Sequence, residues 1–159
     1  MNAGEDAGHH DTVSALKERL ELGNVFFQSF SGESKKLGNL SEFAVELGTS
    51  HALVDDHLLY RFNVECKLLG GSTDSADGRP EYGSIQLRLV CEFTNAKGLS
   101  ASTETIEEFG DSVALNVAHP YIREAISSIV VRLGFPALTI GMFSSPGAPR
   151  TVSGRRTPQ

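Results

Sequence analysis

The side chains best suited to chemistry in this sequence are two acidic pairs and the histidines near one of them. An aspartate pair at 55–56 lies between His51 and His57, and a glutamate pair occupies 107–108. Paired carboxylates support general acid–base catalysis, and a mixed set of His and carboxylate ligands binds zinc. Because the members of each pair are adjacent in sequence, both pairs also fit solvated charges in a loop or at the start of a helix. We predict no catalytic or metal site at either pair.

The other candidate ligands and nucleophiles are equally isolated. The run His-His-Asp at 9–11 stands on a polar N-terminus without preorganised geometry, and His119 fits a helix cap or an interface. Cys66 and Cys91 stand in strand-like segments without the Cys-x-x-Cys spacing of zinc or redox sites, so we predict small core hydrophobes. The sequence has no nucleophile elbow, GxGxxG, Walker loop or HExxH motif. It therefore predicts a protein that is not an enzyme and uses no metal or cofactor.

Five large apolar side chains crowd into nine positions near the end of the sequence: Phe135, Leu138, Ile140, Met142 and Phe143. One interpretation is a last core segment. The other is a hydrophobic groove, formed with a helix and a sheet, that binds unfolded chains through apolar burial and main-chain hydrogen bonds. Flexible Met and large Phe side chains adapt to varied partners, so we name these five residues as candidate client-binding positions.

The longest element that the sequence predicts is an amphipathic helix over residues 120–133. Pro120 suits its first turn, and Gly134 followed by Pro136 supplies a left-handed cap and a stop. Apolar residues at helical spacing form one stripe, which must be buried: Ile122, Ala125, Ile126, Ile129, Val130 and Leu133.

The opposite face of this helix is not purely charged. Val131 lies there among Glu124 and two serines, where a lone surface helix would carry more charge. We therefore expect a second packing partner and assign an oligomer interface to Tyr121, Ser127, Ser128 and Val131.

Alternating apolar and polar residues predict four strands, at about 25–30, 43–47, 58–68 and 85–93, the last two forming a long hairpin. A turn is predicted at 48–51. A short helix over 12–20 with Asp11 as N-cap precedes the strands, and a capping box from Thr105 to Glu108 opens a helix after them. The predicted fold is α+β, a four-stranded antiparallel sheet with the long helix packed on one face.

Length and charge limit the organisation and the partners. The 159 residues make about one domain, expected over 12–143, and polar composition predicts disordered tails at 1–11 and 144–159. The net charge of −6 argues against a nucleic-acid partner. Without an apolar span or a signal-peptide pattern, no membrane insertion and a cytoplasmic location are expected.

The segment 119–138 carries a resemblance to a known family. Its HPYIREAI and LGFPAL runs are similar to a helix and the following turn of the SecB export chaperones, most of all to actinobacterial SecB-like chaperones, some of which accompany toxin–antitoxin systems. The resemblance extends weakly over 16–143. It implies an ATP-independent holdase that binds unfolded or nascent polypeptides and assembles as a dimer of dimers.

The resemblance also bears on the partner. Glu92 in VCEF and Glu33 in SFSGE match acids that meet the translocase motor SecA in the export chaperones, whereas Gln28-Ser29 stands where that family has Asp. The family's further C-terminal helix is replaced by a Pro-, Gly- and Arg-rich tail. An export role and an antitoxin role both stay open, and we predict client binding without strong SecA docking. The alternative from another class is a small-ligand-binding α+β domain or an enzyme.

Overall fold

The computed structural model describes residues 10–71, 79–138 and 150–155. Its elements follow in chain order: α1 (Val13–Arg19), β1 (Glu21–Ser34), β2 (Leu40–Val54), β3 (His57–Gly70), β4 (Glu81–Thr94), α2 (Thr103–Phe109), a π-turn (Gly110–Ala114), α3 (Leu115–Arg132) and β5 (Arg150–Arg155). None of the helices in these ranges is long and apolar enough to cross a membrane.

One antiparallel sheet contains all five strands, in the order β1-β4-β3-β2-β5. β3 and β4 pair from Leu58 opposite Phe93 to Leu69 opposite Glu81, so the predicted hairpin is confirmed. The predicted α+β fold is also confirmed, because four long strands form the sheet and α3 packs against it. The strands alternate buried and exposed residues because one face of the sheet lies under the helices and the other does not.

Between β1 and β2 the chain crosses over two strands, because β1 and β2 are consecutive in sequence but β4 and β3 lie between them in the sheet. Tyr82 fixes this crossing. Its carbonyl accepts hydrogen bonds from the amides of Lys35 and Lys36, at 2.8 and 3.1 Å, and the Lys36 ammonium lies 5.5 Å from the centre of its ring. A Cβ on Gly38 or Gly70 would come within 2.7 or 2.2 Å of that ring, so both glycines leave space for it.

The core is a single apolar cluster between the sheet and the helices. The ring of Tyr60 packs against Phe93 and Phe109, and its hydroxyl donates a 2.6 Å hydrogen bond to the Ile106 carbonyl. The largest fully buried side chains come from every layer: Leu16, Phe43, Leu58, Tyr60, Phe62, Leu68, Ile85, Leu89, Phe109, Ile122 and Ile126.

The long helix begins earlier than predicted. α3 starts at Leu115 and continues from α2 through the π-turn, so Pro120 lies inside the helix and not in a first turn. Proline has no N–H for the carbonyl four residues before it, a loss of one hydrogen bond. Burial of Ala118 and Ile122 against the sheet offsets that loss, because tertiary packing supplies most of the stability of a helix in a protein.

The predicted end of this helix is confirmed. Gly134 has φ +87°, its amide bonds the Val131 carbonyl at 3.0 Å, and the Phe135 amide bonds the Val130 carbonyl at 3.2 Å. These two bonds form a Schellman cap, in which a left-handed glycine lets the chain turn back.

The two predicted N-caps are wrong by a few residues. Thr12, not Asp11, caps α1 by accepting from the Ala15 amide, and Ser102, not Thr105, caps α2 by accepting from the Thr105 amide. Asp11 instead accepts a 3.0 Å bond from the Ser100 amide. Such a long-range contact cannot be deduced from local spacing.

Strands β1 and β2 are longer than predicted, and the predicted turn at 48–51 is wrong. Those four residues continue β2, paired with residues 60–63 of β3. The chain reverses instead at the aspartate pair, where Asp55 has φ +56° in a two-residue hairpin turn. Cross-strand pairing overrides the local turn preference of Gly48 and its polar neighbours.

The expectation of a disordered tail over 144–159 is corrected at 150–155, which form β5 beside β2. Main-chain pairing to an edge strand needs little apolar sequence, so composition did not reveal it. The predicted tail at 1–11 falls mostly outside the described residues. Residues 10 and 11 inside them precede α1, and the Asp11 amide bonds the Ser100 carbonyl at 2.6 Å.

Candidate interaction surfaces

The outward face of α3 carries the four predicted interface residues. Tyr121 and Val131 are 45% and 54% exposed, while Ser127 and Ser128 are half-buried. At 100° per residue these four positions fall within about 120° of the helix circumference, so they share one surface. We call this surface the α3 face. It is apolar at both ends, as a contact surface for a second element would be.

More exposed apolar side chains lie near the C-terminal end of α3. Phe30 on β1 is 64% exposed, and it points to the helix side of the sheet because it stands opposite the buried Leu87. Leu37, 71% exposed, reaches the same end of the helix, where its Cδ2 would lie 3.5 Å from a Cβ on Gly134. We call Phe30, Leu37 and Val131 the apolar rim.

The outer edge of β1 is open in the part of the chain that the structure describes. β1 pairs with β4 on one side only, with register shifts at two places, between Leu22 and Asn24 and between Phe27 and Ser29. An unpaired edge of 14 residues is a ready template for another strand.

The predicted client-binding residues divide between the core and the undescribed part of the chain. Phe135 and Leu138 are only 3% and 8% exposed, which corrects the expectation that these two line an exposed groove. The cause is the Schellman cap, which turns the chain back on the helix. There Phe135 contacts the sheet at Gly83, and Ser127 Oγ lies 3.4 Å from the Leu138 carbonyl. Ile140, Met142 and Phe143 lie outside the described residues.

The two predicted SecA-contact acids lie on the sheet face away from the helices. Glu33 stands opposite Ser84 and Glu92 opposite Leu59, at the two ends of that face. Eight positions along β4 separate them, or about 27 Å at the rise of a strand. They do not form one compact acidic site.

Glu92 is also engaged by a neighbour. Its Oε1 lies 2.5 Å from His57 Nδ1, and His57 Nε2 lies 2.9 Å from Asp56 Oδ1. The first contact does not meet hydrogen-bond geometry, so it is a close electrostatic contact and not a hydrogen bond. Among the described residues, no group of three or more His, Cys, Asp or Glu side chains has the arrangement of a metal site.

The thiols are buried as predicted. Burial raises the pKa of Cys66 and of Cys91 to about 12, because a thiolate is poorly solvated inside the core. Neither thiol is therefore an available nucleophile at neutral pH.

A depression of about 490 Å³ crosses all four long strands at mid-length. Its apolar lining comes from Phe30, Leu47, Val64 and Leu87, and its polar lining residues are exposed or half-buried. It is roomy enough for a small ligand, but it does not enclose convergent polar groups as a specific ligand site does.

A search of solved structures finds this architecture in the Mycobacterium tuberculosis SecB-like chaperone Rv1957, solved in complex with a ChAD peptide from the HigA1 antitoxin Rv1956. The match has a TM-score of 0.72 and covers 84% of this chain and 97% of the other. The fold is that of a SecB-like chaperone. At 13% sequence identity the match shows the fold alone. No family model and no curated protein matches the sequence.

The SecB-like fold predicted from the segment 119–138 is therefore confirmed by structure. Sequence reasoning missed three features of the surfaces on this fold. The exposure of Phe30 depends on the register between β1 and β4, the contact of His57 with Glu92 joins distant positions, and β5 lies in a segment of polar composition. Only the β-branched pair Thr151-Val152 gave a local signal for that strand.

Proposed function

We propose that this protein is an ATP-independent holdase chaperone that binds non-native polypeptides. The observation that carries the proposal is the SecB-like fold, which matches 97% of the Mycobacterium tuberculosis SecB-like chaperone. In support, the described residues include exposed large apolar side chains on both sides of the sheet, among them Phe26, Phe30 and Val131. We expect no catalytic activity and no cofactor.

The proposed mechanism is burial of apolar client segments on several surfaces at once. Each patch gains about 25 cal/mol per Å² of apolar area removed from water, before the client's ordering cost is subtracted. Single patches such as the apolar rim are small, so useful affinity requires several of them to engage one flexible chain. The apolar side chains of Ile140, Met142 and Phe143 remain proposed client contacts.

We propose that the protein works as a homotetramer, a dimer of dimers. The α3 face and the open β1 edge are two separate exposed surfaces, and two isologous contacts, one through each surface, would suffice to build a tetramer in two steps. An assembly of this kind multiplies the number of apolar patches available to one client.

We propose a cytoplasmic location and clients that are either an unstable antitoxin or exported proteins. The antitoxin peptide bound to the Mycobacterium tuberculosis chaperone supports the first. Strong SecA docking is not expected, because Glu33 and Glu92 stand about 27 Å apart by strand rise and His57 already engages Glu92.

The test of the proposal is suppression of aggregation. Purified full-length protein, added in stoichiometric excess, should keep a chemically denatured client soluble on dilution and should bind a permanently unfolded chain without nucleotide. If it neither suppresses aggregation of any of several clients nor binds an unfolded chain, the holdase proposal is wrong.

The alternative, a small-ligand-binding domain, would have to use the mid-sheet depression. Solution mass by light scattering separates the two. A tetramer supports the chaperone, whereas a monomer near 17.1 kDa counts against it.

A further inference from the structure

The edge of β2 is the surface on which this inference depends. β3 holds β2 along its length, from Leu40 opposite Gly70 to Val54 opposite His57. Phe43, Val45 and Leu47 anchor the first half of β2 in the core. The main-chain groups of this edge are therefore held in a fixed, extended geometry, which is what addition of a further strand requires.

The chain's own C-terminal strand occupies part of that edge. β5 pairs antiparallel with β2 over six positions, from Glu42 opposite Arg155 to Leu47 opposite Arg150. In the described structure the rest of the edge, residues 48–54, has no strand on that side. The β2 edge is therefore shown to accept a strand, and half of it stays open.

β5 is poorly suited to permanent occupation. It lies at the end of the sheet, with β2 as its principal neighbour. Its sequence, RTVSGR, includes a glycine, which costs conformational entropy when it is fixed in a strand, and only one aliphatic residue. Its pairing is main-chain pairing, which an extended segment of almost any sequence without proline can replace.

We infer that the β2 edge is a strand-addition site for extended segments of non-native polypeptide, and that β5 is a tethered occupant that a client displaces. The inference rests on the proposed holdase function and specifies one of its binding surfaces. A tethered occupant lowers the apparent affinity for clients, because each client must compete with an intramolecular partner. It also covers an edge that would otherwise pair with other copies of the chain.

The experiment compares two truncations of the full chain. One ends after Pro149 and lacks β5, and the control ends after Arg155 and keeps it. The probe is fluorescein-labelled, reduced and carboxymethylated α-lactalbumin, which stays unfolded, and its Kd is measured by fluorescence anisotropy. Loss of β5 should lower Kd by about three- to tenfold, while the control should match the full chain.

A second variant separates strand loss from charge loss. Truncation after Pro149 removes three arginines, whereas Thr151→Pro with Val152→Pro keeps both length and charge. Successive residues of a strand direct their N–H groups to opposite sides. This double change therefore removes the N–H group that faces β2, whichever of the two residues carries it. It should lower Kd as the truncation does. A peptide of residues 148–157, added in trans to the truncated protein, should compete with the probe.

Unchanged or weaker probe binding by both β5 variants overturns the inference. The inference is also overturned if the β5 variants change only in self-association, measured by light scattering. In that case β5 would protect the β2 edge from other copies of the chain and would not compete with clients. Binding by the full chain is measured first. If the full chain and all variants fail to bind, the holdase proposal itself fails and this inference fails with it, whereas equal binding by all of them removes this inference alone.

Discussion

Gly32 lies directly against Ile129, so that a Cβ on Gly32 would stand 2.6 Å from Cγ2 of Ile129 and 3.2 Å from Cδ1 of Leu133. At this point β1 and α3 are so close that any residue larger than glycine at position 32 would clash with the helix. The χ1 angle of an isoleucine in a helix is restricted to one strongly preferred value, so Ile129 cannot move aside cheaply. The distance between helix and sheet therefore depends on a residue without a side chain.

Gly32→Ala should lower the free energy of unfolding by about 1 to 3 kcal/mol, the usual cost of overpacking a core. Gly48→Ala is the matched control in β2, because its nearest neighbour would be the Asn63 carbonyl at 4.0 Å, and it should be neutral or stabilising. Urea denaturation measures both. Combining Gly32→Ala with Ile129→Ala should recover part of the loss, and strict additivity of the two changes would argue against this contact.

Val131→Asp should dissociate the oligomer and leave the subunit folded, because a carboxylate would be buried at the α3 face only in the assembly. Light scattering reports the mass and circular dichroism the fold. Lys97→Gln, an exposed loop substitution with the same change in net charge, should leave the mass unaltered. An unchanged mass for Val131→Asp would exclude the α3 face as an interface.

A peptide from the C-terminus of SecA should bind weakly or not at all in calorimetry, since Glu92 is engaged by His57 and Glu33 lies far from it. Tight binding that Glu92→Lys abolishes would overturn this prediction and restore an export role. Glu104→Lys, an exposed acid at the start of α2, is the charge-matched control.

Replacing Met142 and Phe143 with Ser should weaken binding of an unfolded client and leave thermal stability nearly unchanged, if both side chains are exposed client contacts. Phe135→Ala is the contrasting variant, because Phe135 is core and its truncation should cost about 3 to 5 kcal/mol of stability. A Met142–Phe143 double variant that unfolds would instead place these two residues in the core.

Alkaline pH should destabilise the protein through its two thiols. Burial raises the pKa of Cys66 and Cys91 from 9.0 to about 12, so the folded state holds protons that the unfolded state releases. Their contribution is complete below pH 9 and falls between pH 9 and 12, at about 1.4 kcal/mol per pH unit for each thiol. Urea denaturation across that range should show a shallower decline for Cys66→Ala and Cys91→Ala. Identical slopes would mean that the thiols titrate alike in both states.

The parts of the fold that sequence predicts well are those in which one periodicity dominates. Strands β3 and β4 alternate over their whole length because one face is buried, and the stripe of α3 ends in a glycine cap. Sequence periodicity mispredicts a segment when the conformation of that segment depends on contacts with residues distant in the chain. Gly48 continues a strand because β3 pairs with it, and Pro120 lies inside a helix because Ala118 and Ile122, one on each side of it, are buried in the core.

The candidate surfaces were less predictable than the fold for the same reason. Val131 can be recognised from sequence because it is an apolar residue on the polar face of the predicted helix, and helical periodicity alone reveals that position. For Phe135 and Leu138 the sequence leaves a core segment and a groove both open, because composition alone cannot distinguish an exposed apolar run from a buried one. The apolar rim and the strand-addition edge depend on register, which no single segment encodes.

The attachment of α1 has a consequence for synthesis on the ribosome. Arg19 donates to the carbonyls of Asn95 and Lys97, and Asp11 bonds the amide of Ser100, so the helix docks on a segment made long after it. A ribosome adds roughly 5 to 20 residues per second, and α1 therefore waits several seconds for its docking site after it is made. α1 is therefore fixed in place only after residues 95–100 have been made, and Leu16, which is fully buried in the folded protein, stays exposed in the nascent chain until then.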